Sequence, residues 1–310
     1  MNDIKRVIAL GFFDGVHLGH QSLMDRTRER AAQYGVTPSV ISFDTHPDTL
    51  VHGTAVPLLG SAADRIGLIR RIGGIDDVIM IHFDRKFMRT PWREFVESVR
   101  RDMGAVHLVM GRDFSCGYRG EGTAERIAAW CAENGLGCDI MDEVRLDGVV
   151  VSSTYIRSLI LEGDMERAAR FLGHPHTLTD TVGYGYRIGR SIGAPTINTT
   201  IPEGVIVPLH GVYATRVWLP EGARPAVTNV GVRPTFDSDG HLTVESNILD
   251  FTGNLYGSQV RLDFLRFLRG ERRFPTPEAL GEQIRHDIAE TRAYFSCATD
   301  GTSALDVKPE

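Results

Sequence analysis

Through about residue 150 the chain alternates short unbroken apolar runs with stretches whose apolar residues recur at helical spacing. Residues 7–10, 39–43, 78–81 and 106–110 are rich in Val and Ile and bounded by Gly, Asp or Pro, which predicts buried strands. Between them, residues 19–33, 62–72 and 92–103 have the helical period; Trp92, Phe95, Val96 and Val99 fall on one face. Strands alternating with helices predict a parallel sheet covered on both faces. Residues 149–151 lead into two further helices, 154–161 and 165–172. Beyond Gly173 the texture changes. Gly, Thr, Val and Pro dominate, and short strand-like runs follow at 179–182, 211–218, 226–230, 242–251 and 259–268. That pattern predicts an antiparallel sheet or barrel. A long helix over 277–294 closes it, with Leu280, Ile284 and Ile288 as its apolar stripe and Pro275 and Pro277 at its start.

The expected fold is therefore α/β in two parts: a Rossmann-like domain over 1–174 and an antiparallel β-barrel domain over 175–296 with its long helix. A polar, frayed tail occupies 297–310. A length of 310 residues agrees with two domains, and 42% hydrophobic with 24% charged residues is an ordinary globular balance. A net charge of −6 gives no overall attraction to nucleic acid or anionic membrane. No apolar run is long enough for a signal peptide or a membrane span, so a soluble, cytoplasmic protein is expected. Four scattered cysteines without metal-type spacing read as reduced thiols. Only three lysines occur (Lys5, Lys86 and Lys308), and none completes a Walker-type phosphate loop. Any phosphate must be cradled another way.

Two segments concentrate the chemistry. Residues 7–20, Val-Ile-Ala-Leu-Gly-Phe-Phe-Asp-Gly-Val-His-Leu-Gly-His, place a strand, a glycine-punctuated turn and a helix start in sequence. A crevice at the carboxyl end of such a strand is a ligand site, and a helix start there seats phosphate. His17 and His20 can donate to phosphoryl oxygens; their spacing also allows a metal site or a cap for the turn. Residues 183–198 are glycine-dense and end in Pro-Thr-Ile-Asn. The spacing is wrong for a dinucleotide fingerprint, but Gly183 and Gly189 suit a flexible loop over phosphates. Thr196 and Asn198 present hard oxygens on alternate positions of an extended strand, as a Mg²⁺ or phosphate contact requires; a purely structural turn and strand is the competing reading.

The HxGH tetrad after a first strand resembles the nucleotidylyltransferase superfamily. Taken with its Gly-Phe-Phe-Asp-Gly lead, it resembles the adenylyltransferase half of the prokaryotic bifunctional riboflavin kinase/FAD synthetases. Stretches 42–47 (Ser-Phe-Asp-Thr-His-Pro), 111–114 (Gly-Arg-Asp-Phe) and 152–157 (Ser-Ser-Thr-Tyr-Ile-Arg) follow in family order. Downstream, 229–235 (Asn-Val-Gly-Val-Arg-Pro-Thr), 244–251 and 255–257 resemble the kinase half. The resemblance spans about residues 5–295. Phe12, Ser115, Cys116 and Tyr155 depart from the family's usual text.

The resemblance implies phosphorylation of riboflavin to FMN and adenylylation of FMN to FAD, both with ATP and Mg²⁺. It implies nucleotide contacts from Gly11, Phe12, Asp14, Gly19, Asp113, Ser152, Ser153, Thr154 and Arg157, and from Gly183 and Gly189 in the second half. Thr196 and Asn198 become metal contacts, Glu245 the kinase base, and Asp44, His46 and Arg233 flavin contacts. Partners are then small molecules alone, with weak self-association left open. Three other readings compete: a kinase with an impaired adenylyltransferase half, a non-enzymatic flavin- or nucleotide-binding regulator, and a class I tRNA synthetase. The last lacks its lysine-rich second signature.

Overall fold

The structure, a computed structural model, describes residues 4–183, 196–233 and 241–299. Residues 4–58 and 65–152 form one compact unit; 59–64 and 153–299 form the other.

In the first unit, β1 (Arg6–Leu10), β2 (Thr37–Phe43), β3 (Asp77–Ile81), β4 (Ala105–Gly111) and a later strand build one parallel sheet. Two two-residue hairpin strands, β5 (Ser115–Cys116) and β6 (Gly122–Thr123), precede that fifth strand, β7 (Gly137–Met141). The strand order is β3-β2-β1-β4-β7. Helices α1 (Leu18–Tyr34), α2 (Pro47–His52), α3 (Ala62–Arg71), α4 (Trp92–Arg101) and α5 (Ala124–Glu133) run between the strands. Side chains alternate across the sheet with the strand period of two. Val7 and Ala9 join Leu23 and Met24 of α1 and Leu68 and Ile69 of α3 on one face. Ile8 and Leu10 join Phe95 and Val99 of α4 and Ile127 of α5 on the other. Both faces are covered, which is why the strands read as continuous apolar runs. The chain steps outward from β1 to β3 and then returns to lay β4 against β1. Strand order reverses there, and the crevice at the carboxyl ends opens at that point.

Helix α5 and strand β7 have no counterpart among the predicted elements. β7, Gly-Cys-Asp-Ile-Met, is a half-buried edge strand with one β-branched residue, so it lacks the Val/Ile signal. The hairpin of β8 (Arg145–Leu146) and β9 (Val149–Val150) ends the unit.

The second unit begins with α6 (Ser153–Glu162) and α7 (Met165–Leu172), close to the predicted helices. Its sheet comprises β10 (His176–Thr181), β11 (Ile197–Thr199), β12 (Gly211–Leu219), β13 (Gly222–Arg233), β14 (His241–Ile248) and β15 (Gln259–Gly270). Their order is β10-β15-β12-β13-β14-β11, with every pair antiparallel. An antiparallel bridge between Gly183 and Asn198, with the Gly183 N–H donating to the Asn198 carbonyl at 2.9 Å, joins the two ends of that order. That single bridge brings the two end strands together, so the sheet curls into a half-barrel with fewer unpaired edges than an open sheet would leave. Inside, the hydroxyls of Thr215, Thr228 and Ser246 form a chain at 2.6 and 2.7 Å. Each buried hydroxyl there has a partner.

Helix α8 (Pro277–Thr299) packs on this sheet. Its buried Asp287 accepts from Arg269 of β15 at 2.8 Å and from Gln283 at 2.7 Å. All four cysteines are free. Among the described residues no helix is long and apolar enough to cross a membrane.

Candidate functional site

In the first unit, the predicted residues after β1 converge. The backbone turns sharply: Phe13 and Val16 adopt left-handed φ values of 61° and 45°, with Gly15 at 74° between them. Non-glycine residues in that region are strained, and such strain is characteristic of ligand-holding loops. Gly11 is required for packing, because a Cβ there would lie 2.9 Å from the Phe13 ring. At Gly19 a Cβ would lie 3.2 Å from the His17 ring and 3.9 Å from the carbonyl of Val151, the residue before Ser152.

His17 caps α1: its Nδ1 accepts from the His20 backbone N–H at 3.3 Å. A neutral His17 ring must then carry its proton on Nε2. The two imidazoles stack with centroids 3.6 Å apart and planes 14° from parallel. Burial, followed by the charges of His17 and Arg65, holds His20 well below the ordinary histidine pKa. His20 is thus held neutral, stacked on His17 at a helix start.

Around this turn, Asp14 is buried. Phe12 is braced edge-on by His46, with ring centroids 4.6 Å apart, and its carbonyl accepts from Ser42. His46 also caps α2 through Nδ1. Asp44, at the end of β2, accepts from the Phe83 N–H at 2.9 Å and lies 2.6 Å from His82 Nδ1. Burial opposes its ionisation, but those bonds keep its carboxyl below the ordinary range. Asp113 is exposed just past β4, its carboxylate against Gly111, where a Cβ would sit 2.7 Å from Oδ1.

A cavity of about 580 Å³ opens at the carboxyl ends of the same strands, lined by Phe43, Leu50, Val51, Phe83, Phe87 and Phe114. No sequence pattern marked it, since its aromatic residues come from separate segments of the chain.

In the second unit, Ser153 opens α6, with Thr154 exposed and Arg157 half-buried on its first turns; Ser152 precedes the helix. Around β11 the structure brings the other predicted residues together. Asn198 of β11 and Asn229 of β13 are both register partners of Glu245 on β14. Directly opposed residues share a face, so the three side chains form a row. Glu245 therefore lies on an interior strand, paired on both sides, rather than on an edge.

Two cavities meet here. One, of about 480 Å³, is lined by Val182, Thr196, Asn198, Ser246, Phe251 and Tyr256. The other, of about 400 Å³, is lined by Thr196, Asn229, Glu245, Arg269, Phe274 and Leu280 among others. Thr196 borders both. Leu280 and Ile284 of α8 line the second cavity together with Asp287, which ties the helix to the sheet. The stretch 242–251 is not a single strand: β14 ends at Ile248, and Asp250 turns with φ 55°. Gly189 and the side chain of Arg233 lie outside the described residues. Among the described residues no cluster of three or more His, Cys, Asp or Glu could hold a metal ion.

Comparison with known proteins divides the chain similarly. Residues 1–155 match the FAD synthetase family and residues 172–295 the riboflavin kinase family. A bifunctional riboflavin kinase/FMN adenylyltransferase from Listeria monocytogenes is 34% identical over 300 residues, covering 96% of this chain and 95% of that protein. Its Bacillus subtilis counterpart is 32% identical, covering 94% and 93%. A crystal structure from Streptococcus pneumoniae, described as a macrolide-efflux protein, is 28% identical with a TM-score of 0.82, covering 94% of this chain and 95% of that one.

Proposed function

The chain belongs to the bacterial bifunctional riboflavin kinase/FMN adenylyltransferase family, and from that premise we infer how its residues divide two ATP-dependent reactions. The protein is a bifunctional enzyme, phosphorylating riboflavin to FMN and adenylylating FMN to FAD. Residues 1–174 are assigned to adenylyl transfer, 175–296 to phosphoryl transfer and 297–310 to a tail. A cytoplasmic location fits substrates drawn from the ATP pool.

In adenylyl transfer, a phosphate oxygen of FMN bonds to the α-phosphorus of ATP as the bond to the β-phosphate breaks, and pyrophosphate leaves. The FMN phosphate is largely dianionic near neutrality, its second pKa being about 6, so no general base is needed. What the protein must supply is stabilisation of the charge on the transferring and leaving groups. His17, through Nε2–H, and His20 are placed to donate to them, beside the N–H groups at the head of α1. Gly11, Phe12, Asp14 and Gly19 shape that turn; Asp113, Ser152, Ser153, Thr154 and Arg157 are further nucleotide contacts. The cavity walled by Phe43, Phe83 and Phe87 suits a planar ring of flavin type, and Asp44 and His46, in the stretch between its lining residues Phe43 and Pro47, are further flavin contacts.

In phosphoryl transfer, a ribityl hydroxyl attacks the γ-phosphorus, the β–γ bridge breaks and ADP leaves. The hydroxyl has a high pKa, so a carboxylate that takes its proton speeds the step. Glu245 has that role, in a cavity whose apolar wall suits the flavin, while the adjoining cavity past Asn198 takes the nucleotide. Thr196 and Asn198 offer neutral oxygens, a donor set that fits Mg²⁺, which keeps waters and substrate phosphates as most of its ligands. Mg²⁺ supplies neutralisation of phosphate charge when bound.

The observation that carries the kinase assignment is the row of Asn198, Glu245 and Asn229 where two cavities meet at Thr196. Incubation with riboflavin, ATP and Mg²⁺ followed by chromatography tests the whole scheme. FMN and FAD together are expected. FMN alone would leave only the kinase half active, and unchanged riboflavin would overturn the kinase assignment and favour a non-enzymatic flavin- or nucleotide-binding regulator.

A further inference from the structure

Helix α3 bears an arginine that the reactions above do not use. Arg65 is 2% exposed, the largest fully buried side chain among those described. Its guanidinium carbon lies 3.9 Å from the centroid of the Phe12 ring, and Nη2 donates to the Phe43 carbonyl at 2.6 Å. Its Nε and Nη1 have no hydrogen-bond partner among the described residues. Burial pushes its pKa down to about 10, against the attraction of Asp14 and Asp44, so it remains charged near neutrality.

A buried guanidinium with so little pairing costs stability relative to an apolar side chain of the same volume. Structural arginines are normally fully paired. This one is instead stacked beneath the loop between β1 and α1, on the very residue, Phe12, that His46 braces from its edge. A flat cation on an aromatic face is a strong contact once desolvated, and it fixes the ring that the turn to Asp14 follows.

We propose that Arg65 is a positioning residue for adenylyl transfer, fixing the Phe12 loop from below and setting a permanent positive charge beneath the polyphosphate site. The proposal rests on the assignment of this loop to adenylyl transfer. His20 faces His17 at the head of α1 and Arg65 from α3, and Arg65 in turn faces Asp14 in the turn and Asp44 at the end of β2. Arg65 disfavours a proton on His20, which preserves a neutral donor when the site is empty. An arriving polyphosphate supplies the anion the guanidinium lacks, so the field favours the ligand-bound state.

The test uses the full chain with Arg65→Met and Arg65→Lys. FAD formation from FMN, ATP and Mg²⁺ is followed over pH with kcat and KM separated, alongside FMN formation and the melting temperature without nucleotide. For Arg65→Met the expected result is a fall of roughly 10- to 100-fold in kcat/KM for FAD formation. The histidine inflection should move to higher pH, FMN formation should be unchanged, and the melting temperature should be no lower than wild type. Arg65→Lys should restore the pH profile. An unchanged rate and profile would overturn the proposal. So would a lowered melting temperature with equal loss of both activities in both variants, the mark of a structural residue. Absence of FAD formation in the wild type would instead reject the assignment of the loop itself.

Discussion

At the scale of single residues, hydrogen bonding fixes what two histidines can do. Because His17 Nδ1 accepts the His20 backbone N–H, only Nε2 of the neutral ring can donate outward. His20→Ala should lower FAD formation by about 10² or more, the usual effect of losing one donor to a developing oxyanion, and leave FMN formation intact. A near-wild-type rate would remove His20 from the chemistry. Glu245→Gln keeps the size and removes the proton acceptor, so FMN formation should be nearly abolished while FAD formation from supplied FMN survives; equal loss of both would make Glu245 structural. The sequence could propose these residues because their motifs are local. It could not propose Arg65, because a lone arginine in a helical stretch looks like any solvent-facing charge. Its stacking on Phe12 exists only across 53 positions of chain, brought together by the fold.

At the scale of elements, β10 shows how the half-barrel buries a titratable group. His176 opens this strand opposite Phe264 of β15, almost wholly buried, and burial followed by the charge of His174 depresses its pKa to about 4. An unfolded histidine takes its proton near pH 6.5, so between those values the unfolded chain binds a proton that the folded chain refuses. Stability should therefore fall as pH drops from about 6.5 toward 4, by up to about 3 kcal/mol from this group. Urea unfolding at several pH values checks it: His176→Gln should flatten the slope, and an identical slope would exclude His176 as its source. Elements with a strong period were legible, as in the one-faced stripe of α4. Strand β7 was not, since an edge strand need bury little and its text shows little.

At the scale of the whole molecule, two family matches over separate stretches of the chain imply separable activities. A mixture of His20→Ala and Glu245→Gln proteins should convert riboflavin to FAD, because FMN made by the first can diffuse to the second. Continued absence of FAD from the mixture would show that FMN must stay on the molecule that made it. By itself the sequence determined the two-part architecture, the order of motifs and the residue types able to perform each step, for these depend on local period, turn chemistry and neighbours a few positions apart. Tertiary structure alone decided that Glu245 sits between Asn198 and Asn229 on an interior strand, that residues from distant segments wall one cavity, and that α8 borders another. Register and cavity walls are made by residues distant along the chain, whose proximity follows from how sheets pair and pack, and no local pattern encodes it.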